Sequence, residues 1–368
     1  MNYLEYYGLE LEPFSVAPDT RFYYNSAQHS KALVRMMYAV DSMKGLALLI
    51  GDIGTGKTIL ARRMLDSLPE EEYESALLVI IHSGITAEWL LKRIAIQLGV
   101  KDPSSEKLQL LSQLYERLME LHESGKKSVV LIDEAQMLQT REIMEEFRGL
   151  LNLEVPEKKL ITFVFFGLPE LDANLRLDEP LAQRVVLRYR LESFNEESSE
   201  AYIKHRLRLA GAKKELFEPN AIKGIHVYSQ GIPRRINTIC DNALFEGFLL
   251  KLDKISKEIV DNVASDLGLK PGKEGAKSAV PLETQSDKTP VMAESTASLS
   301  NPSSEQTHSE EQTPMGAERP PGELSSEQVR ADAATTNTSA TEKDEKPKKG
   351  AEDVDEIDSL LESLEDKD

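Results

Sequence analysis

Five short apolar-rich runs mark the first half of the chain, at residues 46–50, 76–81, 128–133, 160–166 and 185–191. Runs of this length, rich in branched and aromatic residues, predict strands, and the near absence of polar alternation in most of them predicts burial on both faces. Between the runs the apolar period lengthens to that of a helix, at residues 59–65 and 87–98. A third helix should follow, with Ser104 and Ser105 able to cap it and Leu108, Leu111, Leu114, Tyr115, Leu118 and Leu121 on one face. Strands alternating with helices predict a parallel sheet with helices on both faces. From about residue 195 to 267 the pattern is helical throughout, which predicts a small all-α domain. No internal repeat is visible.

The pattern stops near residue 270. Residues 271–368 hold 10 Lys and Arg, 23 Asp and Glu, and no Phe, Tyr or Trp. They carry −13 of the −19 net charge of the 368-residue chain. Such a stretch cannot bury enough apolar surface to offset its conformational entropy, so disorder is expected. The expected organisation is an α/β domain at 1–194, a small helical domain at 195–268, an acidic linker at 269–353 and a short amphipathic helix at 354–364. In that last segment Val354, Ile357, Leu361 and Leu364 share a helical face, with Leu360 beside them, a pattern suited to docking on a partner. The single cysteine, Cys240, excludes an internal disulfide and a cysteine zinc cluster, and its apolar setting predicts a buried side chain. No run is long enough to span a bilayer and the first residues lack a basic leader, so a cytoplasmic location is expected.

The first apolar run leads into Gly51-Asp52-Ile53-Gly54-Thr55-Gly56-Lys57-Thr58, which reads G-x-x-x-x-G-K-[ST] and opens a helix. This is the setting of a phosphate-binding loop, in which backbone N–H groups and the helix N-terminus surround an anion. Lys57 would reach the β- and γ-phosphates of ATP, and the Thr58 hydroxyl would ligate Mg²⁺. The third run ends in Asp133 and Glu134, at the strand end where a parallel sheet receives its ligand. Asp133 would hold the metal, and Glu134 would orient and deprotonate the attacking water. Arg184, just before the fifth run, suits an arginine finger acting on a neighbouring subunit. Arg234, in the first turn of a helix opened by Pro233, could report nucleotide state from the second domain, with Arg235 a weaker candidate. Among the aromatic residues near the N-terminus, Phe14 is the expected contact for adenine.

With these residues assembled, the chain resembles the AAA+ ATPases of the general secretion pathway protein A type. The likeness runs from Tyr7-Gly8-Leu9, Pro13-Phe14, Pro18-Asp19, Arg21-Phe22 and His29 through the phosphate loop to Ile132-Asp133-Glu134-Ala135-Gln136. It continues with Gly167-Leu168-Pro169-Glu170-Leu171, Leu181-Ala182-Gln183-Arg184, Tyr202-Ile203-Lys204-His205-Arg206-Leu207 and Gly231-Ile232-Pro233-Arg234. The resemblance implies ATP hydrolysis by a homo-oligomer, with Arg184 as finger and Arg234 as sensor. It also implies work on a cell-envelope complex, in type II secretion, pilus assembly or exopolysaccharide export, with peripheral placement at the inner membrane through a partner. The family usually carries Gln where this chain has Leu168, which cannot sense a γ-phosphate. Fuller members continue into a membrane span and a peptidoglycan-binding module, where this chain has its acidic tail, so direct action on the cell wall is not expected. Two other readings stand beside this one. A DNA-associated AAA+ regulator of transposition type would use Lys204, Arg206, Arg208, Lys213, Lys214, Arg234 and Arg235. A nucleotide-gated scaffold would hydrolyse little, consistent with Leu168.

Overall fold

A computed structural model describes residues 2–15, 17, 19–156 and 158–272. The segment 354–364 and nearly all of 269–353 lie outside the described residues. Two helices precede the sheet, α1 (Tyr3–Tyr7) and α2 (Ala27–Asp41). Then come β1 (Leu46–Gly51), α3 (Lys57–Asp66), β2 (Tyr73–Val79), α4 (Ala87–Gln97), α5 (Lys107–Glu123) and β3 (Lys127–Asp133). The chain goes on through α6 (Arg141–Leu150) and a two-residue hairpin, β4 (Glu154–Val155) with β5 (Lys158–Lys159). It returns to the sheet as β6 (Ile161–Gly167), crosses α7 (Leu171–Leu175) and α8 (Glu179–Ala182), and ends the domain with β7 (Val185–Leu191). Four helices follow, α9 (Glu196–Leu209), α10 (Pro219–Ser229), α11 (Pro233–Leu249) and α12 (Lys257–Asp266).

The main sheet has the order β2-β3-β6-β1-β7, and every neighbouring pair is parallel. The strands β1, β3 and β6 lie inside it, and their apolar residues are buried except for the half-buried Ile50. Alternate residues of β1 serve opposite faces: Leu46 and Leu48 join the core made with α4 to α8, while Ala47 and Leu49 join the one made with α2 and α3. This is the α/β architecture expected from the alternation of runs, with helices on both faces. All the parallel strands point their carboxyl ends to one rim, where β1 and β3 deliver Gly51 and Asp133.

Three local expectations change. The strand expected at 76–81 is β2, Tyr73–Val79, and Ile81 lies beyond it at 83% exposure. Helix α5 begins one residue past the serines: Ser104 Oγ accepts the Glu106 N–H (3.0 Å), and Glu106 occupies the cap. Its buried stripe is Leu110, Leu114, Leu118 and Leu121, while Leu108 and Tyr115 face solvent because the helix turns its core side toward α4 and the sheet.

The third core is helical, and it recruits the N-terminus. Tyr7, Leu9, Phe14 and Phe22 pack with Tyr202, Ile203, Ile225, Ile236 and Cys240. The arm before α2 therefore belongs with the helices after residue 194, although it sits in the 1–194 segment read as α/β. Aromatic and apolar side chains with no strand of their own gain most by filling that helical core. The passage between the cores is tight at Gly231: φ is +70°, and a Cβ there would meet the Phe194 carbonyl oxygen at 1.9 Å. Phe194 N–H donates to the Gly231 carbonyl at 2.8 Å, so the two chain segments lie against each other without room for a side chain.

Candidate functional site

The phosphate loop is held from below by its own lysine. Lys57 is buried, and its Nζ donates to the carbonyls of Gly51 (2.8 Å) and Asp52 (3.0 Å). Burial lowers its pKa, against the pull of Glu134, Asp133 and Asp52 in the other direction. An ammonium satisfied only by loop carbonyls is available to an incoming polyphosphate, which offers it stronger, charged acceptors. Gly56 precedes α3 with φ +107°, and a Cβ there would lie 2.8 Å from His29 Nε2. That close approach lets His29 reach the loop: its Nε2 donates to the Thr55 carbonyl at 3.2 Å, and its Nδ1 takes the Ser26 hydroxyl at 2.7 Å. These partners fix the neutral tautomer, and burial lowers the His29 pKa to about 4.

The acidic pair stands across from the loop. Asp133 is 1% exposed, and its Oδ1 accepts the Glu134 N–H at 2.9 Å. The Thr58 hydroxyl bonds to the same carboxylate, while burial raises the pKa of the acid. Its Oδ2 is buried with no hydrogen-bond partner. A buried carboxylate oxygen left over beside a threonine hydroxyl is costly unless a cation completes it. The donor set, one carboxylate and one hydroxyl facing a space for phosphate oxygens, fits Mg²⁺, which prefers few protein ligands. Glu134 has φ +55° and lines the same space, with Gln136 Nε2 donating to its Oε2 at 2.6 Å.

The loop, Glu134 and the helical domain enclose a cavity of about 400 Å³; Asp133 lies buried behind Thr58 and does not line it. Its phosphate end is residues 53–59 with Glu134 and Leu168; its other end is Phe22, Tyr23, Tyr24, Phe194, Tyr202 and Asn237. Arg234 lines it from the lid side, and its backbone N–H donates to the Gly54 carbonyl at 3.3 Å. Arg235 is exposed and does not line it.

Phe14 is a correction. It is fully buried in the helical core, edge to face with Phe217 at 6.3 Å, and does not line the cavity. The neighbouring aromatics Phe22, Tyr23 and Tyr24 line it instead. Arg184 lies at the amino end of β7, where the register pairs Val185 with Leu46 and Leu191 with Gly51. It is therefore about 20 Å along the strand from its own phosphate loop. It donates to the Arg148 carbonyl at 3.1 Å, and it does not line this cavity. The cavity also takes Gln136, Phe194, Tyr202, Arg206 and Asn237, none of which the sequence marks individually as a nucleotide contact. The i, i+4 spacing of Tyr202 and Arg206 was the one signal that joined two of them.

Three of the seven basic residues that would favour DNA are engaged within the fold. Arg206 is buried and donates to the Pro13 carbonyl and the Tyr202 hydroxyl. Lys204 pairs with Glu200 at 2.8 Å and Lys214 with Asp253 at 3.0 Å.

Comparison with known proteins agrees with this geometry. A family model described as AAA domain matches residues 40–175. General secretion pathway protein A of Aeromonas hydrophila is 38% identical over 256 residues, which is 69% of this chain and 46% of that protein. The chain thus spans about half the length of that relative. Among solved structures, Cdc6p from Pyrobaculum aerophilum superposes with a TM-score of 0.53 at 18% identity, over 68% of this chain and 71% of that one. The Aeropyrum pernix ORC2 protein, solved as ADPNP–ADP complexes, gives 0.51 at 17%, over 67% and 71%. At such identities these two speak for the fold alone. The matched AAA domain and the 38% identity to general secretion pathway protein A, together with the loop, the acidic strand tip and the helical lid, place the chain among the AAA+ proteins related to general secretion pathway protein A.

Proposed function

We propose that the chain hydrolyses Mg²⁺-bound ATP as a homo-oligomer and uses the cycle to assemble or remodel a cell-envelope complex, working in the cytoplasm against the inner membrane through a partner. The observation that carries the reaction is the buried Asp133 Oδ2, which has no hydrogen-bond partner among the described residues, on the carboxylate that the Thr58 hydroxyl bonds, next to the loop that Lys57 closes from below. When bound, Mg²⁺ supplies charge neutralisation between the phosphates. Lys57 leaves its carbonyl partners for the phosphate oxygens. Residues 51–58 present their N–H groups, and Glu134 orients a water and accepts its proton. Arg184, too far from its own site, would complete that of a neighbour, and Arg234 would couple the lid to the phosphates. No helix among the described residues is long and apolar enough to cross a membrane, which suits recruitment through a partner. Similarity to general secretion pathway protein A supports the envelope role.

Steady-state phosphate release with Mg²⁺ tests the reaction. Glu134→Gln should fall about 100-fold or more while calorimetric ATP binding persists. Equal rates would remove Glu134 from the reaction and favour a scaffold. Mixing Arg184→Ala with Lys57→Ala subunits should restore part of the hydrolysis, and mixed oligomers that stay silent would refute the finger.

A further inference from the structure

One buried side chain links the proposed base to the tip of β6, and the reaction outlined above assigns it no task. Gln136 lies in the 3-10 turn Ala135–Met137 and is 6% exposed. Its Nε2 donates to Glu134 Oε2 at 2.6 Å, and its Oε1 accepts the Leu168 N–H at 3.1 Å. Its own backbone is pinned, since the carbonyl accepts Asn174 Nδ2 at 2.8 Å and Gln139 Nε2 at 3.4 Å. The two side-chain partners settle which way the amide points: a backbone N–H needs the oxygen, and a carboxylate needs the NH₂. The link is also sterically close, for a Cβ on Gly167 would come within 3.2 Å of Gln136 Oε1.

Glu134 needs such a support. Its backbone is left-handed, φ +55°, so neither the end of β3 nor a helix directs its side chain. The residue at the end of β6 that borders the cavity is Leu168, whose side chain has no polar atom to aim at the base or at a phosphate. Gln136 also borders the cavity, and it uses the backbone of Leu168 where a polar side chain is lacking.

We propose that Gln136 is the positioning residue of the site, tying the Glu134 carboxylate to the β6 tip so that the base keeps the orientation in which its free oxygen meets water. The link makes the orientation of the base follow any shift of residues 167–169. It rests on the hydrolysis reading, and it differs from a simple packing role in one respect. Satisfying the Leu168 N–H needs only an acceptor, whereas holding Glu134 needs a donor.

Gln136→Glu separates the two where its new carboxyl is ionised, because it then keeps the shape and the acceptor and loses the donor; two carboxyls this close can share a proton, so kcat is read across pH. Gln136→Leu removes both. Each is to be measured in the full chain for kcat, KM and calorimetric Mg²⁺–ATP affinity, with thermal melting as the check on folding. Both variants should lose at least about tenfold in kcat, with ATP affinity held within about twofold. Gln136→Glu that keeps wild-type kcat would overturn the proposal, and so would a kcat loss matched by an equal loss of ATP affinity. Wild-type protein with no Glu134-dependent phosphate release would sink the hydrolysis reading itself. Glu134-dependent release that Gln136→Glu leaves intact would sink this inference alone.

Discussion

Lys57 and Arg206 are two buried cations at opposite ends of one cavity, and they are built for opposite purposes. Lys57 has only the carbonyls of Gly51 and Asp52, on a loop of its own making, and burial lowers its pKa. Arg206 is committed: it donates to the Pro13 carbonyl and to the Tyr202 hydroxyl at 2.7 Å, and its guanidinium stacks 4.8 Å from the Phe22 ring. The phosphate end thus keeps its charge in reserve for a ligand, while the aromatic end spends its charge on joining the N-terminal arm to α9. A polar group held weakly is a binding group, and one held by several partners is a structural one.

The sharpest break of this contrast is Lys57→Ala. Removing the reserved cation should cost about 1,000-fold in Mg²⁺–ATP affinity, ~4 kcal/mol, measured by calorimetry. The melting temperature without nucleotide should hardly move, since the lost partners are loop carbonyls that water can replace. A large drop in melting temperature would make Lys57 as structural as Arg206 and erase the distinction.

His29 sits where the two ends meet, and its prediction is one of pH. Its ring is neutral in the fold, with a pKa lowered by burial to about 4 from the ordinary 6.5. The unfolded chain therefore binds the proton first as pH falls. Stability from this group is complete above about pH 6.5, declines between 6.5 and 4, and is lost below, a total of ~3 kcal/mol. His205 and His226 are shifted the same way by burial and steepen the trend. Urea unfolding at pH 7 and pH 4.5 should show the loss, and His29→Gln should flatten it. An unchanged slope in that variant would mean that the ring is not buried neutral against the phosphate loop.

The two ends were unequally legible in the sequence, for the same reason that they differ physically. The phosphate end is made by contiguous residues whose backbone does the binding, so residues 51–58 announce it in one motif. Asp133 and Glu134 are legible because an apolar strand stops at them. The aromatic end has no such contiguity. It draws Phe22 to Tyr24, Phe194, Tyr202, Arg206 and Asn237 from segments that meet only through the helical core. Nothing in the spacing of Phe14 and Phe22 says which faces the cavity, and the turn at Thr20–Phe22 decides it. Gln136 was hidden differently: its neighbour Glu134 was read at once, but its partner at Leu168 is a backbone N–H, which no sequence displays.

A milder break is Arg206→Met, which keeps most of the apolar stem and removes the donors. Two buried acceptors then lose their partner, and the cost should be about 2 kcal/mol, read from urea unfolding. ATP affinity should fall less than tenfold. An affinity loss near that of Lys57→Ala, without destabilisation, would make Arg206 a ligand group and the contrast false.

The smallest expected effect tests where Phe14 belongs. Phe14 has no exposed surface and meets Phe217 edge to face, inside a core built mainly from the N-terminal arm, the four lid helices and the segments that join them. Phe14→Leu keeps the apolar character and loses part of the volume, so it should cost roughly 1 kcal/mol of stability. ATP affinity should stay at the wild-type value, because no atom of the side chain lines the cavity. Tyr24 supplies the internal control. It lies in the same arm, lines the cavity, and packs edge to face on Phe194 and Tyr202 at 5.9 and 5.8 Å. Tyr24→Leu should therefore weaken nucleotide binding about tenfold, the worth of one aromatic contact, by the same calorimetric measurement. If Phe14→Leu weakened binding and Tyr24→Leu did not, the arm would be threaded the other way round, with Phe14 on the nucleobase and Tyr24 in the core.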